Sequence, residues 1–426
     1  MTDMKMKRAI VISLNCPGYY SLAIHYLKLY ACLDHYLNKR CRIYTVEYDI
    51  FINDISILKN LEKLAPDLIA FSCYVWNIQK VLPLALKCKK LLPESKIVLG
   101  GQEVTHSTID YLARHPFLDF IVDGEGERVF KKILYSMVED NFHSLGEIRG
   151  IKYRDSCGIQ ETPPSEAIKT LDEIPSPYLS GSVKIPEKSR LGVMLDHVRG
   201  CPKKCEFCFE GTRCDTPRAF SVERVKEEMV WAKAKGYDYF HMLDPILGMN
   251  SPRRLAALSD AFSETFHNYP YKVSVEIYAE NLNDKNIDYF ECYHIFDIGL
   301  QTINPLTNKN ISRKLNLDSF IRGFELIKVR RKTTNVYLIY GLPGDNYDEF
   351  MEGICFVDSL KPSNIFLNRL CILDGTAFRH KAAEYNFEYE TNPPYEVLSN
   401  ITYSYNDIVK SESFGKNFMR YYNAST

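Results

Sequence analysis

Strand-length apolar runs alternate with helix-length amphipathic segments along most of these 426 residues, and this alternation, more than any other feature, limits what the chain can fold into. Within residues 1–145, strands are expected at 9–14, 42–47, 68–72, 96–99 and 117–122, and helices at 19–37, 55–64, 81–92, 108–114 and 127–138. Crossovers between parallel strands place helices on both faces of a sheet, so the run predicts a doubly wound, Rossmann-like α/β domain. Residues 146–190 interrupt the pattern. Two short strands at 149–153 and 158–161 are followed by Pro163, Pro164, Pro175 and Pro177, which reads as a hairpin and a Pro-rich linker. From residue 191 the alternation resumes with a longer period: strands at 192–197, 237–243, 272–276, 296–300, 335–340 and 364–370, helices at 222–235, 253–266, 284–292, 317–331 and 347–359. Six β/α units fall short of a closed eightfold barrel, so residues 191–380 are expected to form a partial (β/α)6 barrel, followed by a C-terminal extension at 381–426.

In both architectures ligands meet the carboxyl ends of the strands. In the first domain those ends carry Ser72, Gly100, Gly101 and the Asp123–Glu127 stretch with Glu125, where glycines and a hydroxyl let a large planar or nucleotide-like ligand approach the backbone. A Gly-Gly pair after a strand is also an ordinary turn. In the second domain the strand ends carry Asp244, Glu276 with Tyr278, Gln301 with Asn304, and Gly341–Asp345. A carboxylate there is also compatible with simple solvation.

The loop after the first barrel strand reads VRGCPKKCEFCFEG and holds Cys201, Cys205 and Cys208 at C-x3-C-x2-C spacing. Gly200, Pro202 and Gly211 suit a backbone that wraps around one inorganic centre. Four cysteines close a [4Fe–4S] cluster, so three leave one iron open to another ligand. Zinc would require a fourth ligand, which Cys214 can supply. Spacing alone leaves both centres open.

The composition narrows the surroundings. Lys and Arg number 53 against 54 Asp and Glu, so nothing draws the chain as a whole to nucleic acid or an anionic membrane. No apolar run approaches the roughly 18 residues that span a bilayer, and the first residues lead into a strand without a signal-peptide pattern. A cytoplasmic location is expected, in which the 13 cysteines are thiols, core residues or metal ligands rather than disulfides.

Cys201-x3-Cys205-Glu206-Phe207-Cys208, with an aromatic residue before the last cysteine, resembles the signature of radical S-adenosylmethionine (radical SAM) enzymes. The succession PDLIAFSCYVWN, IVLGGQEV and VDGEGE is similar to the cobalamin-binding domain that precedes the barrel in one large branch of that superfamily. DEIPSPYL, IGLQTINP, IYGLPGDN and Leu373-Asp374-Gly375-Thr376 are similar to further phrases of the same branch.

The resemblance implies a [4Fe–4S] cluster on Cys201, Cys205 and Cys208, SAM on the open iron, and cleavage of SAM to methionine and a 5′-deoxyadenosyl radical. It places Phe207, Glu276, Gln301 and Arg313 along SAM, and Ser72, Gly100, Gly101 and Glu125 at a cobalamin site. The D-x-H-x-x-G motif of many cobalamin proteins is absent, and His25 falls inside the first helical pattern as an ordinary histidine, so retention of cobalamin stays open. The activity implied is hydrogen abstraction from an unactivated carbon followed by methyl transfer, in natural-product or peptide biosynthesis. One alternative is a radical reaction without methylation, such as epimerisation with Cys371 as hydrogen donor, beside a vestigial cobalamin domain. Cys371 reads more simply as a small buried hydrophobe, which free cysteine very often is. The other alternative is a zinc-binding structural protein. The expected partners are a small-molecule or peptide substrate and an electron donor such as flavodoxin or ferredoxin, with no nucleic acid and no membrane.

Overall fold

In the computed structural model, which describes residues 6–213, 216–248 and 251–425, the chain divides after Arg190 into two units, each built on its own sheet. The first unit runs β1 (Lys7–Asn15), α1 (Ala23–Cys32), α2 (His35–Arg40), β2 (Cys41–Asp49), α3 (Asp54–Leu64), β3 (Leu68–Ser72), α4 (Ile78–Leu91), β4 (Lys96–Gly100), α5 (Tyr111–Arg114), β5 (Phe120–Val122), α6 (Gly126–Val138), β6 (Ile151–Asp155) and β7 (Gly158–Glu161). Strand order is β2-β1-β3-β4-β5-β6-β7, parallel from β2 to β5. Alternate strand residues enter two separate cores. Ala9, Val11, Leu68, Ala70 and Val98 meet α1, α2 and α6 on one face. Ile10, Ile12, Ile69, Phe71 and Leu99 meet α3 and α4 on the other. A sheet covered on both faces has continuously apolar strands, which is why they stand out in the sequence.

Three expectations are corrected in this unit. The helix expected over 19–37 is two helices, because the Asp34 carboxylate accepts hydrogen bonds from Tyr36 and Leu37 N–H and starts α2 afresh. The helix expected at 108–114 shrinks to one turn, α5, capped by Asp110. The hairpin is part of the sheet: β6 pairs antiparallel with β5, and β7 with β6. His25, inside α1, is buried between Ser182 Oγ at 2.8 Å and Glu47 Oε1 at 3.1 Å.

The second unit runs β8 (Val193–Leu195), β9 (Val198–Arg199), α7 (Glu210–Arg213), β10 (Arg218–Ala219), α8 (Val222–Ala234), β11 (Tyr239–Met242), α9 (Pro252–Thr265), β12 (Lys272–Ile277), β13 (Ile295–Gln301), α10 (Pro305–Asn310), α11 (Leu317–Lys328), β14 (Thr333–Tyr340), α12 (Tyr347–Leu360), β15 (Asn364–Arg369), α13 (Ala377–His380), β16 (Glu388–Tyr389), β17 (Val397–Ser399) and α14 (Tyr405–Ser425). Six strands, β8-β11-β12-β13-β14-β15, form one parallel sheet in chain order, the arrangement of a partial barrel.

The segment 284–292, expected as a helix, holds only a short 3-10 turn at Ile287–Phe290. Its asparagines bond locally instead: Asn283 N–H to Asn286 Oδ1, and Asn286 Nδ2 to the Asn281 carbonyl. The C-terminal extension covers the edge of β15. The Asn423 amide bonds both the N–H and the carbonyl of Ile365, and the Met419 sulfur accepts from Leu367 N–H. An exposed edge strand is a template for aggregation, and α14 removes it.

Candidate active site

The cysteine loop leaves β9 and returns through β10, and these two strands pair antiparallel through Val198–Ala219 and Arg199–Arg218, clasping its base. Cys208 N–H donates to the Cys205 carbonyl at 3.0 Å, which folds the last two cysteines into one turn. A Cβ on Gly211 would stand 2.7 Å from the Lys203 carbonyl oxygen, so α7 can lie on the loop backbone only with glycine there. Cys201 and Cys205 are buried, Cys208 is half-buried. Burial pushes the Cys201 thiol up to about 11 and the Cys208 thiol up to about 12, so a bound cation is needed to hold them as thiolates. The fourth ligand of the zinc alternative, Cys214, lies outside the described residues. Among those described, no three His, Cys, Asp or Glu side chains close on one point as a single ion requires.

Strand ends bring further groups to this loop. Tyr278, one residue beyond β12, places its hydroxyl 3.7 Å from Cys205 Sγ. The Arg313 guanidinium carbon lies 4.2 Å from the centre of the Tyr278 ring. Arg313 is buried and pairs with Glu280 at 3.4 Å, and its Nε has no hydrogen-bond partner among the described residues. Gln301 closes β13 in a left-handed conformation, φ +71°, where the register with β14 shifts. A Cβ on Gly299 would meet Gln301 Nε2 at 2.5 Å and Arg313 Nη1 at 3.9 Å, so the ends of these two side chains share one small space. Non-glycine residues hold such backbone only where their surroundings determine it. Phe207 is half-buried in the cysteine turn.

Deeper along the strands, the face turned away from the helices is polar. Asp297 accepts from Ser274 Oγ (2.9 Å), Asn335 Nδ2 (2.8 Å) and the Tyr337 hydroxyl (3.0 Å), and Asn364 Nδ2 donates to Asn335 Oδ1 at 2.9 Å. Glu276, register partner of Asp297, is open to water yet surrounded by protein. Desolvation, then the charges of Asp297, Glu210 and Asp244, raise its carboxyl to about 7. Asp244 is raised to about 6 by burial, and His197, 3.7 Å from it, is driven down to about 3 by burial and then by Arg254, so it stays neutral.

Cys371 follows β15, half-buried, with its backbone bridged to Glu396 and its sulfur 3.8 Å from the Arg369 carbonyl. Burial raises its thiol to about 11, so it is a protonated thiol near neutral pH.

In the first unit, Ser72, Gly100 and Gly101 meet at the tips of β3 and β4. Ser72 is buried, and Cys73 N–H donates to the Gly100 carbonyl at 2.7 Å. Gly101 has φ +110°, and a Cβ there would stand 2.6 Å from the Cys73 carbonyl oxygen. Beyond them, Tyr74 and the exposed Trp76 stack at 4.3 Å and 6°, a flat aromatic surface that the sequence reading passed over. The Glu125 carboxylate is engaged by the backbone N–H of Ile168 at 3.3 Å. The strand order places the reversal between β1 and β3, where ligands of such sheets bind.

Tyr278 was expected at its strand end, whereas Glu206, Glu280 and Ser312 were absent from the expected site, although Glu206 lies between the second and third cysteines and Ser312 directly before Arg313.

Comparison with known proteins gives the same division. The Radical SAM superfamily matches residues 195–354, and the B12 binding domain matches residues 32–134. The chain is 28% identical over 370 residues to the 2-(S-pantetheinyl)-carbapenam-3-carboxylate methyltransferase of Streptantibioticus cattleyicolor, covering 82% of this chain and 52% of that protein. It is 28% identical over 306 residues to the cobalamin-dependent radical SAM methyltransferase TokK of Streptomyces tokunonensis, covering 68% and 44%. The chain thus spans about half the length of these relatives. In fold it is similar to the radical SAM methyltransferase TsrM from Kitasatospora setae (TM-score 0.72, 13% identity, 97% of this chain and 83% of that one). It is also similar to OxsB, a cobalamin-dependent SAM radical enzyme solved with aqua-cobalamin and SAM (TM-score 0.77, 15% identity, 97% and 67%). With the cysteine loop at the mouth of a six-stranded parallel sheet and a doubly wound domain before it in sequence, the chain carries a B12 binding domain over residues 32–134 and a Radical SAM superfamily domain over residues 195–354.

Proposed function

We propose that this chain is a cobalamin-dependent radical SAM methyltransferase. The observation that carries this reading is the assembly at the cysteine loop: three cysteines on one loop, and a buried arginine with an unpartnered Nε over the tyrosine that touches Cys205. When bound, the cluster and SAM supply reductive cleavage to a 5′-deoxyadenosyl radical, and cobalamin supplies the methyl group.

The residues present fit these groups. Cys201, Cys205 and Cys208 would hold the cluster and supply three of its four protein ligand positions. Arg313, its guanidinium carbon 4.2 Å from the centre of the Tyr278 ring, would offer its Nε–H to the SAM carboxylate. Glu276, its carboxyl raised to about 7, would meet the hydroxyls of a ribose, with Gln301 at the next strand end. Phe207 contributes an apolar surface beside the cluster. In the first unit, the Tyr74–Trp76 stack beyond the tip of β3 suits a broad planar ligand.

The substrate is a small molecule or peptide from natural-product biosynthesis, and a flavodoxin- or ferredoxin-type protein supplies the electron. No helix of the described residues is long and apolar enough to cross a membrane. A reducing cytoplasm suits the oxygen-sensitive cluster.

Anaerobic reconstitution with iron, sulfide and hydroxocobalamin tests the reading. Protein that retains both cluster and corrinoid, and passes the label of methyl-labelled SAM to product, supports it. Protein that takes up iron but never a corrinoid rejects methyl transfer. Cys371 as hydrogen donor then becomes the reading to test, by replacing it with alanine and following solvent deuterium into product.

A further inference from the structure

One side chain that takes no part in the chemistry fastens the cysteine turn from two sides. Glu206 is buried between the second and third cysteines. Its Oε1 accepts from Ser312 Oγ at 2.8 Å, and its Oε2 accepts from Lys381 Nζ at 2.9 Å, partners 106 and 175 residues away in sequence. Its backbone is held as well. Glu206 N–H donates to the Ile311 carbonyl at 3.2 Å, and Phe378 N–H donates to the Glu206 carbonyl at 2.9 Å.

These bonds close a circuit. Glu206 follows Cys205, and Ser312 precedes Arg313. Arg313 lies 4.2 Å over the Tyr278 ring, and the Tyr278 hydroxyl returns to Cys205 Sγ at 3.7 Å. Ser312 adopts φ +55°, a left-handed backbone that serine holds only when its neighbours determine it, and its bond to the Glu206 carboxylate is one such determinant. Charge-assisted hydrogen bonds to a buried carboxylate are the stronger kind and are geometrically exacting.

We propose that Glu206 is a positioning residue that fixes Arg313 against the cysteine turn and thereby sets the affinity for a ligand whose carboxylate Arg313 would recognise. The inference rests on the proposed function, in that the ligand is SAM. Lys381 brings the segment after β15 into the same latch, so that segment and the loop after β13 are set by one carboxylate.

Four reconstituted proteins test this: wild type, Glu206→Gln, Glu206→Ala and Ser312→Ala. The measurements are iron content, the Kd for SAM, and the electron paramagnetic resonance spectrum of the reduced cluster with and without SAM. Iron content is expected to match wild type, because the cysteines are intact. The Kd of Glu206→Ala is expected to rise about tenfold, with a matching loss of the SAM-dependent spectral change. Glu206→Gln is expected to fall between, since its carbonyl still accepts from Ser312 but its amide cannot pair with Lys381. A rise below about threefold in both Glu206→Ala and Ser312→Ala overturns the proposal. If Glu206→Ala takes up no iron, Ser312→Ala and Lys381→Met decide on the same threshold. Iron-loaded wild type with no spectral response to SAM overturns the underlying reading and the proposal with it. A responsive wild type with unaffected variants overturns the proposal alone.

Discussion

In the first sheet, neighbouring residues of β1 and β3 bury both faces in hydrocarbon, Ala9 and Val11 toward one helical layer and Ile10 and Ile12 toward the other. In the second, β13 and β14 bury alternate residues such as Phe296, Ile298, Val336 and Leu338, and turn Asp297, Asn335 and Tyr337 to the opposite face. A sheet covered on both sides keeps its polar chemistry at the strand tips, here Ser72, Gly100 and Gly101. A partial barrel has an inner face as well, and this one lines it with a hydrogen-bonded belt around Asp297.

The difference between the two sheets is tested most strongly by removing the belt's acceptor. Asp297→Ala leaves Ser274, Asn335 and Tyr337 without their partner and is expected to cost about 3 kcal/mol, read by urea unfolding. A neutral result would mean that water replaces the carboxylate and that the belt is not a structural feature.

A smaller effect is expected at the tip of the first sheet. Gly101→Ala places a methyl 2.6 Å from the Cys73 carbonyl oxygen at φ +110° and is expected to cost about 1–3 kcal/mol of local strain. Corrinoid retention should fall while iron content stays unchanged. Equal loss of both cofactors would contradict the assignment of separate sites.

Next comes a pH effect. Asp345, after β14, is buried and accepts from Thr307 Oγ1 at 2.7 Å, and burial raises its carboxyl from 3.8 to about 6. The folded chain therefore binds that proton more tightly than the unfolded chain. Its contribution to stability is fully present below about pH 4 and is lost as pH rises through about 6. Asp345→Asn should flatten the melting temperature of the apo protein across that window by a few degrees. An unchanged slope would contradict the assignment. The smallest effect is Ile69→Val in the first core, expected at about 1 kcal/mol with both cofactor contents untouched.

The sheets were legible because their residues respond to burial alone. Ile69 through Ser72 reads as a strand since every residue there is buried, and the cysteines were legible because they lie on one short loop. Helix limits were less so. Asp34 breaks the expected helix by capping α2, a competition between side chain and backbone that apolar periodicity does not register. Asn283 and Asn286 turn 284–292 away from helix in the same way. In the site, Glu276, Gln301 and Arg313 followed from strand ends and family resemblance. Glu206, Ser312 and Lys381 did not, because their meeting depends on distant loops converging, and nothing local marks it.

Everything proposed for the second unit depends on Cys201, Cys205 and Cys208 carrying a cluster that cleaves SAM reductively. The most direct measurement is 5′-deoxyadenosine formed from SAM by the anaerobically reconstituted, chemically reduced protein, beside Cys205→Ala. 5′-Deoxyadenosine is expected from the wild type, and its loss, together with the cluster spectrum, in the variant. Iron-loaded wild type that releases none, or a Cys205→Ala protein that releases as much, would contradict it.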